Sequence, residues 1–252
     1  MRRKSSLLFG LVTLLIAVVY IFANAPSLPA FNFQQLPDEG ELVRRALQAK
    51  GWETLTPTSV LRLEVDASPL DGEEIILGIN AGKNKGFLAG LQKADGRLIG
   101  LSKDLASVHR LSTVDLPGLA QKGISVEEYY DNRTGGFEET TWKRIFRLDE
   151  NNAFQQVFSH VQQSEYFWHD AWDQPKGIFW HRVKEENRFS IPAPGVIVVD
   201  RTVSHYAIPG DPKKMPTQYN LEKEEREKIR FEWNAASLRF VETKRESVQG
   251  QA

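Results

Sequence analysis

The chain has no cysteine among its 252 residues. Disulfides, thiolate metal sites, cysteine catalysis and a lipid-modified N-terminal cysteine are therefore excluded. It also lacks an excess of either charge: 32 basic residues stand against 33 acidic ones, a net of −1, which leaves no electrostatic footprint for nucleic acid. No Gly-x-Ser-x-Gly, His-Glu-x-x-His, phosphate-cradling glycine loop or dinucleotide fingerprint occurs, so the sequence points to no cofactor. The acidic pairs Glu73-Glu74, Glu127-Glu128 and Glu138-Glu139 do not flank a glycosidic bond, because neighbours on a strand face opposite ways. Lysine and arginine are missing altogether from Ser5 to Val43.

What stands inside that cation-free stretch is an unbroken apolar run, Leu7 to Ala23, preceded by Arg2, Arg3 and Lys4. Seventeen residues make about 25 Å of helix, and Ser5 to Ala25 about 31 Å, enough to cross a hydrocarbon core. The flanking charge places the N-terminus inside and everything after Ala25 outside. Ala23-Asn24-Ala25 has the small-x-small form of a cleavage site, which leaves secretion after cleavage as the alternative. Pro26 follows directly, constraining the backbone and removing an N–H, and favours an uncleaved anchor. The expected organisation is a signal-anchor helix at 1–25, a spacer at 26–37 and an extracytoplasmic domain at 38–252, in a single-pass protein of a bacterial cell envelope.

Asp38 is a candidate N-cap, with Glu41 three residues on, and Leu42, Val43, Ala46 and Leu47 fall on one helical face before Gly51, which predicts one short amphipathic helix. Beyond Trp52 the period becomes that of strands, broken by turn signals every 8 to 12 residues. Asp95-Gly96, Thr134-Gly135-Gly136, Glu150-Asn151-Asn152 and Asn234 to Ser237 mark reversals, and Ile208 to Pro216 reads as a long loop and candidate partner site. In Asn220 to Arg230 the charges space at i, i+4, Glu222 with Arg226 and Glu224 with Lys228, which predicts a short exposed helix. The fold class expected is mainly β.

Ser59-Val60-Leu61-Arg62-Leu63 recurs forty-eight residues later as Ser107-Val108-His109-Arg110-Leu111. Each copy is followed by an Asp-containing loop, an apolar strand, a turn and a hairpin, which is the pattern of an antiparallel meander. With Asp71-Gly72-Glu73-Glu74-Ile75-Ile76-Leu77-Gly78 as its best-matching stretch, the segment from about 59 to 159 resembles the VCBS and FG-GAP type β-propeller repeat modules. The resemblance implies a propeller-like or incomplete propeller arrangement; a β-sandwich is the alternative. It does not carry metal binding, because Ala67, Ser68, Pro69 and Leu70 stand where such loops space their calcium-chelating aspartates.

The densest chemistry is Tyr166-Phe167-Trp168-His169-Asp170-Ala171-Trp172-Asp173 with Phe179-Trp180-His181. Two readings follow. Trp168, Trp172 and Trp180 are candidates to stack on the sugar rings of a wall polymer, and His169, Asp170, Asp173 and His181 are candidates for proton transfer in a wall-active hydrolase. Alternatively, aromatics at strand spacing are core, and the histidines and aspartates satisfy turns. Taken whole, the sequence predicts a membrane-anchored, non-catalytic binding or accessory protein whose partner is a protein or cell-wall polymer.

Overall fold

The computed structural model describes residues 37–133, 137–173 and 176–248. The expected anchor at 1–25, nearly all of the spacer and the Thr134-Gly135-Gly136 reversal lie outside them. Among the described residues no helix is long and apolar enough to cross a membrane. The architecture is mainly β and antiparallel throughout.

Helix α1 (Glu39–Lys50) forms where the local signals place it, with the Glu41 N–H donating to Asp38 Oδ1 at 2.8 Å. The Glu41 carboxylate turns to Arg44 and Arg45, whose hydrogen bonds hold it down at about 2, and does not close a capping box. Gly51 stops the helix at φ 75, a left-handed conformation that a side chain would strain. Leu42, Val43, Ala46 and Leu47 are all buried.

Their partner is a four-stranded meander of β1 (Ser59–Val65), β2 (Glu74–Asn80), β3 (Gly86–Gln92) and β4 (Leu98–Leu101). Ile75, Leu77, Ile79, Phe87 and Leu91 pack under α1, while Ile76 and Leu88 face the second sheet and meet Val108, Ile124, Val126 and Phe146. A strand covered on both faces reads as a continuous apolar run, which is why β2 shows no alternation.

The second sheet runs in chain order through β5 (Ser107–Asp115), β6 (Lys122–Asp131), β7 (Glu138–Leu148), β8 (Phe154–His169), β9 (Phe179–Ala193), β10 (Val196–Pro209), β11 (Asn220–Asn234) and β12 (Arg239–Ser247). The two copies of the repeated segment thus open the two sheets. The second sheet, however, runs on to eight strands where the first ends at four. Asn220 to Arg230, predicted as helix, is strand: it pairs with β10 from Asn220 to Glu232.

The two sheets are tied by side chains that imitate backbone. Asn80 receives the Val108 N–H at 2.7 Å and returns a bond to the Val108 carbonyl at 2.8 Å, and Asn84, in the β2–β3 turn, does the same with the Asp131 N–H and carbonyl at 2.8 and 2.7 Å. Inside the Asp66 to Gly72 loop, buried Glu74 accepts the Ala67 and Ser68 N–H groups and the Ser68 hydroxyl. Donors surround a carboxylate here, so the turn is closed by an internal anion.

Candidate functional site

The aromatic segment forms the far end of the long strands. β8 and β9 pair from Gln163–Glu186 to His169–Trp180, so Trp168 lies opposite His181 and His169 opposite Trp180. That one-residue offset decides the chemistry, because successive residues face opposite ways. The two histidines stand on adjacent strands but on different faces.

One face is packed. His169 is fully buried; its Nδ1 accepts the Ala171 N–H at 3.0 Å, so its Nε2–H donates to the Gly210 carbonyl at 3.0 Å. Both ring nitrogens are thereby used in holding the ring in place. Trp180, 2% exposed, donates from Nε1 to the Asp211 carbonyl at 2.9 Å and lies edge-on to His169 and Trp172. The predicted loop after Pro209 is thus pinned across this end by its Gly210 and Asp211 carbonyls. Further along the same face the Arg182 guanidinium lies over Phe167, Tyr206 and Tyr219 at 5.5, 5.4 and 5.9 Å and pairs with Glu165. The Tyr219 hydroxyl has no hydrogen-bond partner among the described residues, and burial pushes its ionisation above the ordinary tyrosine range.

The other face carries a stack. Tyr166 lies over Trp168 with centroids 5.2 Å apart, and Trp168 over His181 at 4.8 Å and 15°. His181 Nε2 meets Asp170 Oδ1 at 2.7 Å. Of the four candidate catalytic residues, this pair alone comes together: His169 is on the opposite face, and Asp173 is exposed, its N–H bonded to the Asp170 carbonyl. Among the described residues no group of three or more His, Cys, Asp or Glu side chains is placed to hold a metal, and no hydroxyl bonds His181 or Asp170.

The three candidate sugar-stacking tryptophans differ in what they present. Both faces of Trp168 are covered, by Tyr166 and His181. Trp180 is interior. Trp172, 47% exposed, has one face against Phe137 at 6.1 Å and 21°. A sugar ring needs an open ring face, and of the three Trp172 is the exposed one.

What the end of the sheet does offer is apolar surface. Of the eight exposed large hydrophobic residues among those described, six lie in or beside the β8–β9 and β10–β11 connections: Tyr166, Trp172, Ile178, Phe179, Met215 and Leu221. Lys176, Lys213, Asp173 and Asp211 stand in the same two connections, all exposed. An apolar centre with a charged rim is the make-up of a protein interface. Met215 and Ile178 carry no local sequence signal for this role; they belong to two connections laid side by side, where the Gly210 N–H donates to the Ile178 carbonyl. By contrast, a surface depression of about 530 Å³ is polar and lined by Glu186, Arg188, Asp200 and Arg226.

No family model, no curated protein and no solved structure matches this chain.

Proposed function

We propose that the protein is a membrane-anchored, extracytoplasmic binding or accessory protein of a cell envelope, and that it engages a protein partner through the exposed apolar end of strands β8 to β11. The clustering of Trp172, Ile178, Phe179 and Met215 carries this reading, since monomeric proteins scatter exposed apolar residues singly and concentrate them where something docks. The covered faces of Trp168 favour a protein over a wall polymer. The apolar run from Leu7 to Ala23 and its basic flank support the membrane assignment. The 59–159 segment is read as a degenerate pair of VCBS and FG-GAP type repeats, supported by Ser59 and Ser107 each opening a sheet.

The His181–Asp170 pair is the observation that favours a wall-active hydrolase instead. It supplies a base and an orienting carboxylate but stands without a bonded nucleophile among the described residues, and a dyad alone does not make an acyl or glycosyl transfer site.

Sidedness is tested with the chain's own lack of cysteine. Lys244→Cys, on exposed β12, should react with a membrane-impermeant maleimide in intact cells or spheroplasts. Reaction only after permeabilisation contradicts the assignment.

A further inference from the structure

The eight-stranded sheet divides along part of its length. β8 and β9 are paired only over Gln163–His169 and Trp180–Glu186. The first half of β8 stays with β7, and the second half of β9 stays with β10. Across the gap these halves enclose a core of Ile145, Phe158, Ile197, Val199, Ile229 and Phe240. On one side the enclosure is open. Between Thr113–Asp115 of β5 and the β9–β10 hairpin at Ile191–Ile197 lies a cleft of about 470 Å³. It shares Thr113, Val114, Ile191 and Ile197 with an inner space of about 150 Å³ that reaches Phe158, Phe189 and Lys143.

Three features of the lining define an occupant. The walls are aliphatic and aromatic, with Ile191 57% exposed at the mouth, where leaving it in water gains nothing for the fold. Pro192 and Pro194 remove two N–H donors from the β9–β10 hairpin that forms one wall. The charges are unequal: Asp115 at the mouth is already paired with Lys122, whereas Lys143, its ammonium 5.6 Å over the Phe189 ring, lies across the ladder from Glu127, which pairs with Arg110, and makes no ion pair within 4 Å among the described residues. An apolar cleft of this size, with one lysine that makes no direct ion pair, suits a ligand with an apolar body and a single anionic group.

We infer that the cleft binds a free fatty acid, its chain between the two halves of the sheet and its carboxylate at Lys143. The site is separate from the apolar end of β8 to β11 and does not depend on that end docking a partner.

The full-length chain in phosphatidylcholine nanodiscs is photolabelled with a diazirine-bearing palmitic acid and, in parallel, with the matching fatty alcohol, and the adducts are mapped by mass spectrometry. The acid should label 112–115 and 189–197, and excess palmitate should compete it away. Ile191→Glu, a change at an exposed position that leaves the core intact, should cut this labelling at least tenfold by placing a carboxylate in the mouth. Lys143→Met should remove the preference for acid over alcohol. Labelling spread evenly along the chain, labelling unchanged in Ile191→Glu, or alcohol labelling equal to acid labelling in the unaltered chain would each overturn the inference.

Discussion

Between the packed base and the aromatic end, a line of charges crosses four strands: Glu185 on β9, Arg201 on β10, Glu227 on β11 and Arg245 on β12, closed by Glu242. Arg201 bonds Glu185 at 3.0 Å and Glu227 at 2.9 Å, and Arg245 bonds Glu227 and Glu242 at 2.8 Å. Burial alone would raise Glu185, but the hydrogen bonds from Arg201 and Asn187 carry it below the ordinary carboxylate range. Arg245 likewise holds Glu242 down. A carboxylate lowered by folding contributes stability that is complete above its unfolded pKa and is lost as the pH falls toward the folded one. The melting temperature should therefore fall as the pH is taken from about 5 to about 3. Glu185→Gln should cost about 1–3 kcal/mol at neutral pH and flatten that acid limb. Scanning calorimetry across the range checks both; an acid limb as steep in the variant as in the parent chain would remove Glu185 from the explanation.

At the scale of elements, the sheets are held close enough that one glycine is required. A Cβ on Gly78 of β2 would stand 2.9 Å from Val108 Cγ1 of β5. Gly78→Val should destabilise the fold by about 1–3 kcal/mol through overpacking, read as a lowered urea midpoint at unchanged slope. Helix α1 could be read from the sequence because every signal that makes it is local: Asp38, the Leu42, Val43, Ala46, Leu47 face and Gly51. β11 could not, for a physical reason. The spacing i, i+4 that joins Glu222 to Arg226 on a helix is an even number, so the same charges fall on one face of a strand. There Arg226 pairs with Glu224, and Lys228 with Asp200 across the ladder. The deciding influence is β10, a run of Val196, Ile197, Val198, Val199, Thr202 and Val203 whose open edge supplies a partner strand, and pairing overrides local preference. The aromatic end was half legible. Its density is plain in the sequence, but whether His169 and His181 share a face depends on a register that only the hairpin sets, and Phe137 and Tyr219 arrive from distant parts of the chain.

Over the whole molecule, one layer order places its features: α1 on the four-stranded sheet, that sheet on the first strands of the second, and the long strands β8 to β11 carrying the apolar end. In the packed face beneath that end, His169 and Trp180 bond the Gly210 and Asp211 carbonyls and hold the start of the β10–β11 connection across it. Rigid aromatic anchors lose little freedom on binding, which suits them to an interface centre. If a protein partner covers this surface in the cell, a probe placed there must be shielded in a way that a probe elsewhere is not. The direct measurement compares two single-cysteine chains, Ile178→Cys in the patch and Lys244→Cys on β12, for their rates of reaction with an impermeant maleimide in cells and after purification. The account predicts that Ile178→Cys reacts at least tenfold more slowly in cells than when purified, while Lys244→Cys reacts at the same rate in both. Equal rates for Ile178→Cys in the two settings would contradict it.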